Sequence, residues 1–188
     1  MSFFPAYFNL KDKKILLVGG GSIALEKLEK LIDFTKNITV IAKEVSDDFI
    51  NFANRHTIAI KKQSYKKGDI DNFDIVIVAT DTVQIHKEIY KESRSSRILV
   101  NSVDNTAYCD FIFPSYVKKG DLTISISTGG ASPALAKRLR VYIEKLIPSN
   151  IVEFLQDMRK LRKTIPKGRD RMQFFEEKTD SYIAHNFK

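Results

Sequence analysis

Three consecutive glycines, Gly19 to Gly21, separate a short apolar run from a segment with helical periodicity, and this junction restricts the fold more than any other feature. Lys14 to Val18 is a buried-strand pattern of aliphatic and β-branched residues. From Ser22 onward, apolar residues return at helical spacing with Glu and Lys between them. The sequence therefore predicts a strand, a tight turn and a helix, which together begin a parallel α/β sheet.

Within this junction, Gly19, Gly21 and Ala24 fit the G-x-G-x-x-G/A pattern of dinucleotide-binding turns. The first glycine allows the tight turn, the second lets a pyrophosphate approach the backbone, and Ala24 lets the helix pack closely on the strand. Ser22 and Ile23 begin the helix, whose free N–H groups and positive dipole end favour an anion. The alternative is a tight turn that binds no ligand.

The rest of residues 1–113 alternates between strand and helix patterns, which predicts a doubly wound parallel sheet. The predicted elements are a strand at Ile38–Ala42, a helix over residues 46–54 with Ser46 as its N-cap, strands in "HTIAIKK" and "FDIVIVATD", a helix over residues 82–92 and a fifth strand ending near Val100. The fourth strand is continuously apolar, so we expect it to be central in the sheet.

Beyond the fifth strand the pattern changes. The segments "CDFIFPSYV" and "DLTISIST" are extended and joined by "KKGD", which predicts a hairpin. Ser132 and Pro133 are a good N-cap and first residue for a helix that runs to about Leu146 and ends before Pro148. Residues 150–187 predict two helices joined by a turn at "IPKG".

The positive charge of the chain is concentrated in its C-terminal part. Residues 1–113 carry 16 Lys and Arg against 15 Asp and Glu, whereas residues 114–188 carry 15 against 8. Most of the net charge of +8 therefore belongs to the second stretch. A basic part of this kind indicates a polyanionic ligand, a nucleic acid or only a solvated surface. No nucleic-acid-binding motif accompanies the charge, so we expect no nucleic-acid partner.

Composition argues against several other classes of protein. No apolar run approaches the roughly 20 residues that span a bilayer, and the first residues lack the pattern of a secretory signal, so we expect no membrane partner. The single cysteine, Cys109, excludes an internal disulfide and fits a reducing cytoplasm. His56, His86 and His185 are far apart in sequence, so we expect no protein-bound metal.

Four segments of the chain together resemble a known family. They are similar, in order and spacing, to segments of the precorrin-2 dehydrogenase / sirohydrochlorin ferrochelatase family of siroheme biosynthesis: "FPAYFNLKDKKILLVGGGSIALEK", "VIVATD", "NSVDNTAYCDFIFPS" and "ISISTGGASPALAKRLR". The resemblance extends from residue 3 to about residue 146 and is loose in the C-terminal helices. The third and fourth segments are its specific part, since many Rossmann proteins share the glycine turn.

The resemblance implies a Rossmann-type NAD-binding domain over residues 1–113, a segment over residues 114–146 that forms a homodimer, and a small helical domain over residues 147–188. It implies oxidation of precorrin-2 to sirohydrochlorin with NAD⁺. Some members also insert ferrous iron as a substrate and others lack that step, so iron insertion stays open. This chain ends without the methyltransferase domain that some relatives carry, so we expect a separate enzyme to make precorrin-2.

The expected cofactor site combines the glycine turn with residues that follow two other strands. Thr80 and Asp81 follow the fourth strand, and ligands collect at the carboxyl ends of parallel strands. The alternative for these two residues is to cap the next helix. Lys43 occupies the neighbourhood where an acidic residue normally binds the ribose of NAD. It would favour a 2′-phosphate, whereas the resemblance favours NAD.

Asp104 matches the essential aspartate of the family, so the resemblance implies that it is catalytic. A carboxylate there can accept a proton during dehydrogenation and can assist the removal of pyrrole N–H protons during metal insertion. From the residues alone, "VDNT" favours an Asx-turn, and only the resemblance favours catalysis. Asn101 is expected to bind substrate or, together with Asp110, to orient this loop.

The expected tetrapyrrole site lies in the basic part of the chain, because precorrin-2 carries carboxylates around its ring. The family places the glycine-rich turn beside the tetrapyrrole, and the expected contacts are Ser127, Thr128, Gly129, Gly130, Ser132, Arg138 and Arg140, with Lys137 as a further candidate. The alternatives are that the basic residues only face solvent and that Ser132 only caps the helix.

A function of another class is a non-catalytic module that binds NAD(H) and regulates a partner through its helical tail. The glycine turn and the charge distribution suit such a sensor equally well. It gives no reason for the third and fourth segments to occur together, so the dehydrogenase is the preferred interpretation.

Overall fold

The computed structural model describes residues 3–187 and divides them into two compact units, residues 3–112 and residues 113–187. The first unit contains a five-stranded sheet, and the second contains a two-stranded sheet and helices. The elements of the first unit, in chain order, are β1 (Ile15–Val18), α1 (Ser22–Ile32), β2 (Ile38–Ala42), α2 (Asp47–His56), β3 (Ala59–Lys62), β4 (Ile75–Val78), α3 (Val83–Ser93) and β5 (Leu99–Ser102).

The strand order is β3-β2-β1-β4-β5, and all neighbouring strands are parallel. This arrangement confirms the predicted doubly wound sheet. Every residue of β1 and β4 is buried, because a strand covered on both faces must be apolar throughout. The expectation that the fourth strand is interior is correct, although the middle position belongs to β1.

The sheet edge formed by β3 is polar and mostly exposed, and Lys61 and Lys62 lie at its end. Charged residues of this kind protect an open edge from pairing with another chain. In the chain between β2 and β3, Ser46 caps α2, and its hydroxyl accepts a hydrogen bond from the Phe49 N–H at 3.4 Å. The cap was predicted, but α2 runs two residues beyond its predicted end, to His56.

The second unit is built from β6 (Ser115–Lys119), β7 (Leu122–Ile126), α4 (Pro133–Leu146), α5 (Ile151–Thr164) and α6 (Arg169–Asn186). The two strands pair antiparallel, as the predicted hairpin requires. A shared apolar core joins the hairpin to the helices through Ile147, Ile151, Tyr182, Leu122 and Ile124. The assignment of residues 114–146 to dimerisation stays a prediction.

Two details of the hairpin differ from the prediction. Its first strand begins at Ser115, not Cys109, because residues 109–111 turn back along β5 and bond to it. Its turn is shorter than "KKGD", since Lys118 and Lys119 both belong to β6. Gly120 allows this tight turn with a φ of 58°, in the left-handed region that glycine adopts without strain.

Candidate active site

A cleft of about 690 Å³ opens at the carboxyl ends of β1, β2 and β4. It contains most of the expected cofactor residues, which come from three separate parts of the chain: Gly19, Gly21, Ser22, Ile23, Lys43, Thr80 and Asp81. Ala24 is buried in α1 beneath the glycine turn, as close packing of the helix on the sheet requires. The fold therefore assembles at one edge what the sequence distributes over more than sixty residues.

The three glycines of the turn have different reasons to be glycine. Gly19 has a φ of 131°, and an added Cβ would overlap the carbonyl oxygen of Ala79 and lie 2.8 Å from its carbon. A Cβ on Gly20 would overlap the carbonyl oxygen of Glu44. Around Gly21 an added Cβ would meet nothing within 4 Å. The protein itself therefore requires the first two glycines, whereas the third faces open space where a ligand can approach.

The beginning of α1 is suited to an anion. Gly21 is its N-cap, no side chain caps it, and its first turn has no acidic residue. The first N–H groups of a helix have no partner within the helix, so those of Ser22 and Ile23 are left for a ligand. Together with the space at Gly21, this arrangement fits the pyrophosphate of a dinucleotide.

At the end of β2, Lys43 and Glu44 are both exposed and both line the cleft. In dinucleotide-binding folds an acidic residue after β2 binds the ribose hydroxyls. Here that position has a basic residue, Lys43, directly followed by an acidic one, Glu44. Glu44 was not among the residues singled out from the sequence. It could have been considered, because it follows the strand end by only one residue more than Lys43.

A second group that the sequence did not indicate is the loop after β3, where Gln63, Ser64 and Tyr65 line the cleft. The Tyr65 hydroxyl donates to Glu92 on α3 at 2.7 Å, and the same carboxylate accepts the Gly68 N–H at 2.8 Å. Burial and the neighbouring Glu92 raise the pKa of Tyr65, so its hydroxyl stays protonated as a donor. Only the strand order brings this loop to the cleft.

A buried histidine hydrogen-bonds to the segment that follows β4. His86 is 3% exposed, and its Nε2 lies 2.7 Å from the carbonyl oxygen of Thr80. Because a carbonyl oxygen can only accept, Nε2 carries the proton. The N-cap of α3 is Thr82, not Thr80 or Asp81 as the alternative has it, although the Thr80 hydroxyl accepts the Thr82 N–H at 3.4 Å.

Asp104 follows β5 at the same edge of the sheet. It occupies a turn in which the Asn105 N–H donates to the Ser102 oxygen at 3.1 Å, and its φ of 59° is left-handed. Its carboxylate is exposed and makes no hydrogen bond or ion pair with residues 3–187. The turn is therefore present, but the side chain does not make the hydrogen bond that an Asx-turn needs. Asp104 does not belong to the cleft lining.

The segment after Asp104 covers the free edge of β5 with side chains. Asp110 accepts the Val100 N–H at 2.8 Å, and the Cys109 sulfur accepts the Ser102 N–H at 3.2 Å and donates to the Ser102 oxygen at 3.1 Å. Burial raises the pKa of the Cys109 thiol, which keeps the proton for this bond. These contacts satisfy backbone groups that a sixth strand would otherwise bind.

Asn101 is buried, and its amide nitrogen donates to the Phe111 oxygen at 2.8 Å. Of the two functions expected for this residue, orientation of the loop is the one that these contacts perform. Asp110 shares that function, and both carboxylate oxygens of Asp110 accept hydrogen bonds from Arg94, at 2.8 and 2.6 Å.

The residues expected to contact the tetrapyrrole belong to the second unit. The hydroxyls of Ser127, Thr128 and Ser132 each accept a backbone N–H within the glycine-rich turn or the start of α4. Gly129 and Gly130 have φ values of 61° and 90°, so the backbone of this turn needs glycine. The capping function of Ser132 is therefore correct, and its hydroxyl proton is still able to bind another group.

The basic side chains of α4 differ in their surroundings. Arg140 forms an ion pair with Glu144 at 2.6 Å. Lys137 and Arg138 are exposed and have no ion-pair partner among residues 3–187. Of the expected carboxylate contacts, Arg138 is thus the more available one.

Comparison with known proteins gives the family. A family model described as "Putative NAD(P)-binding" matches residues 6–115, which include the sheet and the whole glycine cleft. The chain belongs to this NAD(P)-binding family. A second model, described as "Sirohaem biosynthesis protein central", matches residues 119–146 of this family member. The resemblance to siroheme biosynthesis proteins predicted from the four segments is confirmed by these two matches.

Curated relatives of this NAD(P)-binding protein carry the name siroheme synthase. That of Methylococcus capsulatus is 36% identical over 98% of the chain, and that of Pseudoalteromonas atlantica is 33% identical over 98%. The chain spans only 40% and 41% of the length of these two relatives. The solved structure of SirC, precorrin-2 dehydrogenase, shares the fold, with a TM-score of 0.77, 24% identity, and coverage of 90% of this chain and 85% of that one.

Two further findings concern metals and membranes. In the part of the chain that the structure describes, no three His, Cys, Asp or Glu side chains lie together so that they could bind a metal ion. None of the helices between residues 3 and 187 combines the length and the apolar composition that crossing a bilayer requires.

Proposed function

We propose that this protein oxidises precorrin-2 to sirohydrochlorin with NAD⁺. One observation carries the proposal: an unbonded carboxylate, Asp104, lies at the same sheet edge as a glycine cleft suited to a dinucleotide. A chain whose curated relatives are siroheme synthases has a use for both features. A module that only binds NAD(H) has a use for the cleft alone.

The residues of the cleft would bind and orient the dinucleotide. Gly21 leaves space for the pyrophosphate, the N–H groups of Ser22 and Ile23 bind it, and Thr80 and Asp81 border the cleft on the β4 side. When bound, NAD⁺ supplies the acceptor for the hydride that leaves the tetrapyrrole. Loss of a hydride also releases a proton, and the free Asp104 carboxylate accepts it.

The choice of NAD over NADP is part of the proposal. Glu44 can accept the ribose hydroxyls of NAD, whereas Lys43 would attract a 2′-phosphate. We infer that the carboxylate dominates, in agreement with the preference that the resemblance implies. Calorimetric titration with NAD⁺ and NADP⁺ compares the two directly, and tighter binding of NADP⁺ would reverse the assignment.

We propose that the glycine-rich turn and the start of α4 bind the carboxylates of the tetrapyrrole. Carboxylates accept hydrogen bonds from hydroxyl and guanidinium groups. This surface offers both, in the hydroxyl protons of Ser127, Thr128 and Ser132 and in the unpaired Arg138. Gly129, Gly130 and Arg140 would complete this surface, with Arg140 exchanging its Glu144 partner for the substrate.

We also propose that the protein is a homodimer through residues 114–146. The side chains of Leu135, Leu139, Tyr142 and Leu146 are exposed and recur on one stripe of α4 at helical spacing. An apolar stripe of this kind is typical of a face that another chain covers.

A reducing cytoplasm is the expected location, because the single cysteine is free.

The experiment that tests the proposal uses precorrin-2 prepared without oxygen. Purified protein, NAD⁺ and precorrin-2 should yield NADH and sirohydrochlorin in equal amounts. Asp104→Asn removes the basicity but retains the shape, so we expect a loss of about two orders of magnitude in rate with nearly unchanged NAD⁺ affinity. Absence of NADH formation with the wild type, together with tight NAD⁺ binding, would favour the sensor.

Insertion of ferrous iron is a second candidate, favoured by the name siroheme synthase that the relatives carry. Supplying sirohydrochlorin and Fe²⁺ directly separates this step from the oxidation. If Asp104 also removes pyrrole protons, chelation should fall in Asp104→Asn as well. Chelation no faster than in the absence of protein would remove this second activity.

A further inference from the structure

The position of the Asp104 carboxylate depends on backbone alone. No side chain or backbone group among residues 3–187 bonds to it. It belongs to a loop, residues 103–108, that begins at the end of β5 and closes through two turn bonds, from Tyr108 N–H to the Asn105 oxygen and from Cys109 N–H to the Thr106 oxygen. Whatever holds the far end of this loop therefore determines where the carboxylate lies.

The far end of the loop is fastened to β5 by Cys109, whose sulfur bonds to Ser102, and next to it by Asp110. Its backbone N–H donates to the Val100 oxygen at 2.7 Å, and its carboxylate accepts the Val100 N–H at 2.8 Å. The side chain of Asp110 is only 17% exposed. A carboxylate so far removed from water needs a partner that compensates its charge.

Arg94, just after α3, is that partner. Its two terminal nitrogens donate to the two Asp110 oxygens at 2.8 and 2.6 Å, which is the paired geometry that only arginine offers to a carboxylate. The guanidinium also lies over the Tyr90 ring at 4.2 Å, and the Tyr90 and Tyr108 rings are 5.7 Å apart. The C-terminal end of α3 thus contacts the loop at Tyr108 as well as at Asp110.

We propose that Arg94 and Asp110 are positioning residues that hold Asp104 in its reactive place. The inference rests on the proposed function, because it assigns these residues to the step in which Asp104 accepts a proton. They touch neither substrate nor cofactor in this scheme. They act by fixing the backbone of residues 103–108, and displacement of a catalytic group by about 1 Å can lower a rate about 100-fold.

The test compares Asp110→Asn and Arg94→Lys with the wild type. Asp110→Asn removes the charge that Arg94 binds, and Arg94→Lys keeps a charge but loses the paired geometry. We expect the kcat for sirohydrochlorin formation to fall about 10- to 100-fold in both variants. The dissociation constant of NAD⁺, measured by calorimetry, should stay within about twofold of the wild type, since neither residue lines the cleft.

A second measurement separates positioning from a general loss of structure. If Asp110 acts only through Asp104, the substitution Asp110→Asn should cause no further loss of kcat in a protein that already carries Asp104→Asn. Hydrogen exchange of the Asn105, Tyr108 and Cys109 amides should accelerate in Asp110→Asn and in Arg94→Lys. This second readout does not require the enzyme to be active.

The chain offers a matched control at the start of β1. Asp74 accepts the Lys14 N–H at 2.9 Å and forms an ion pair with Lys13 at 2.8 Å, so it too is a carboxylate that binds a basic side chain and a backbone N–H. Lys13→Gln removes an ion pair at the amino ends of β1 and β4, whose two side chains make no hydrogen bond with residues 103–110. It should change neither the kcat nor the exchange of the three loop amides.

Each outcome decides between the alternatives. A normal kcat in both Asp110→Asn and Arg94→Lys, or an additional loss in the double variant equal to that in the single one, overturns the inference while the proposed function stands. Unchanged exchange of the loop amides overturns it even if the wild type has no dehydrogenase activity. An inactive wild type with accelerated loop exchange in the variants overturns the proposed function and leaves the structural part of the inference supported.

Discussion

Gly21 allows the cofactor site to be tested without disturbing the fold. Its backbone is extended, with φ −89° and ψ −170°, and an added Cβ meets nothing within 4 Å. Gly21→Ala should therefore change the free energy of unfolding by no more than about 1 kcal/mol, the usual cost of alanine at an N-cap. If a pyrophosphate approaches this position, the methyl group should weaken NAD⁺ binding even though the protein is folded.

A carboxylate at the same position gives a larger and more specific effect. Gly21→Asp places a negative charge where the pyrophosphate would lie. Two unit charges about 4 Å apart at an effective dielectric constant of about 20 repel each other by about 4 kcal/mol. We therefore expect a loss of NAD⁺ affinity of roughly 1,000-fold, reduced at high salt by screening.

Gly19→Ala is the matched control, because it should lower the stability of the fold, whereas the substitutions at Gly21 should lower only the affinity for NAD⁺. A φ of 131° is strained for alanine, and the methyl group would overlap the Ala79 carbonyl oxygen. Strain of this kind costs about 1–3 kcal/mol before the overlap is considered. This backbone contact can be relieved only by separating the turn from the end of β4. Gly19→Ala should therefore lose at least about 3 kcal/mol of stability.

Calorimetry with NAD⁺ and urea denaturation of the three variants supply the two measurements. Wild-type affinity in Gly21→Asp would mean that the glycines only connect β1 to α1. Equal destabilisation by alanine at Gly19 and at Gly21 would refute the distinction between a glycine required by the fold and one required by a ligand.

Three further substitutions test other parts of the structure. Ser46→Ala removes the N-cap of α2 and should cost about 0.5–1 kcal/mol of stability in urea denaturation, the lower part of the usual range because the bond is long. Leu139→Glu should shift the protein from dimer to monomer in sedimentation at micromolar concentration, and a wild type that is already monomeric would contradict the dimer. For Cys109, burial raises the thiol pKa above its ordinary value of 9.0, so the folded state holds the proton more tightly. The contribution of the protonated thiol to the free energy of unfolding is complete below pH 9 and is lost as the pH rises through the folded-state pKa. Plots of the free energy of unfolding against pH for wild type and Cys109→Ser should therefore converge at alkaline pH.

Local pattern was sufficient for the parallel sheet. The continuous apolar runs of β1 and β4 can only be strands covered on both faces. Ser46 and Ser132 mark helix beginnings by a hydrogen bond to a residue three positions later, which is a property of neighbouring residues. Such features depend on short-range chemistry, so they are predictable from the sequence.

Hydrogen bonds that side chains make to the backbone of a distant strand could not be predicted from local pattern. Residues 109–111 belong to a segment predicted to be extended, yet Cys109 binds β5 through its sulfur, and Asp110 binds it through its carboxylate as well as its backbone N–H. Whether an apolar segment pairs through its backbone or through its side chains depends on what lies beside it. The boundary of the hairpin was wrong for that reason.

The sequence by itself determined that a strand, a glycine turn and a helix follow one another from residue 14 to residue 32, because periodicity and glycine content act within a few residues. Only the tertiary structure decided what each glycine is for: Gly19 and Gly20 are required by the carbonyl groups of Ala79 and Glu44, which are distant in sequence, and Gly21 by none. The same holds for the rest of the cleft lining: Glu44 reaches the cleft because β2 lies next to β1, and the loop after β3 reaches it because β3 lies next to β2. Local conformation follows from neighbouring residues, whereas steric exclusion and the lining of a site follow from residues that the fold brings together.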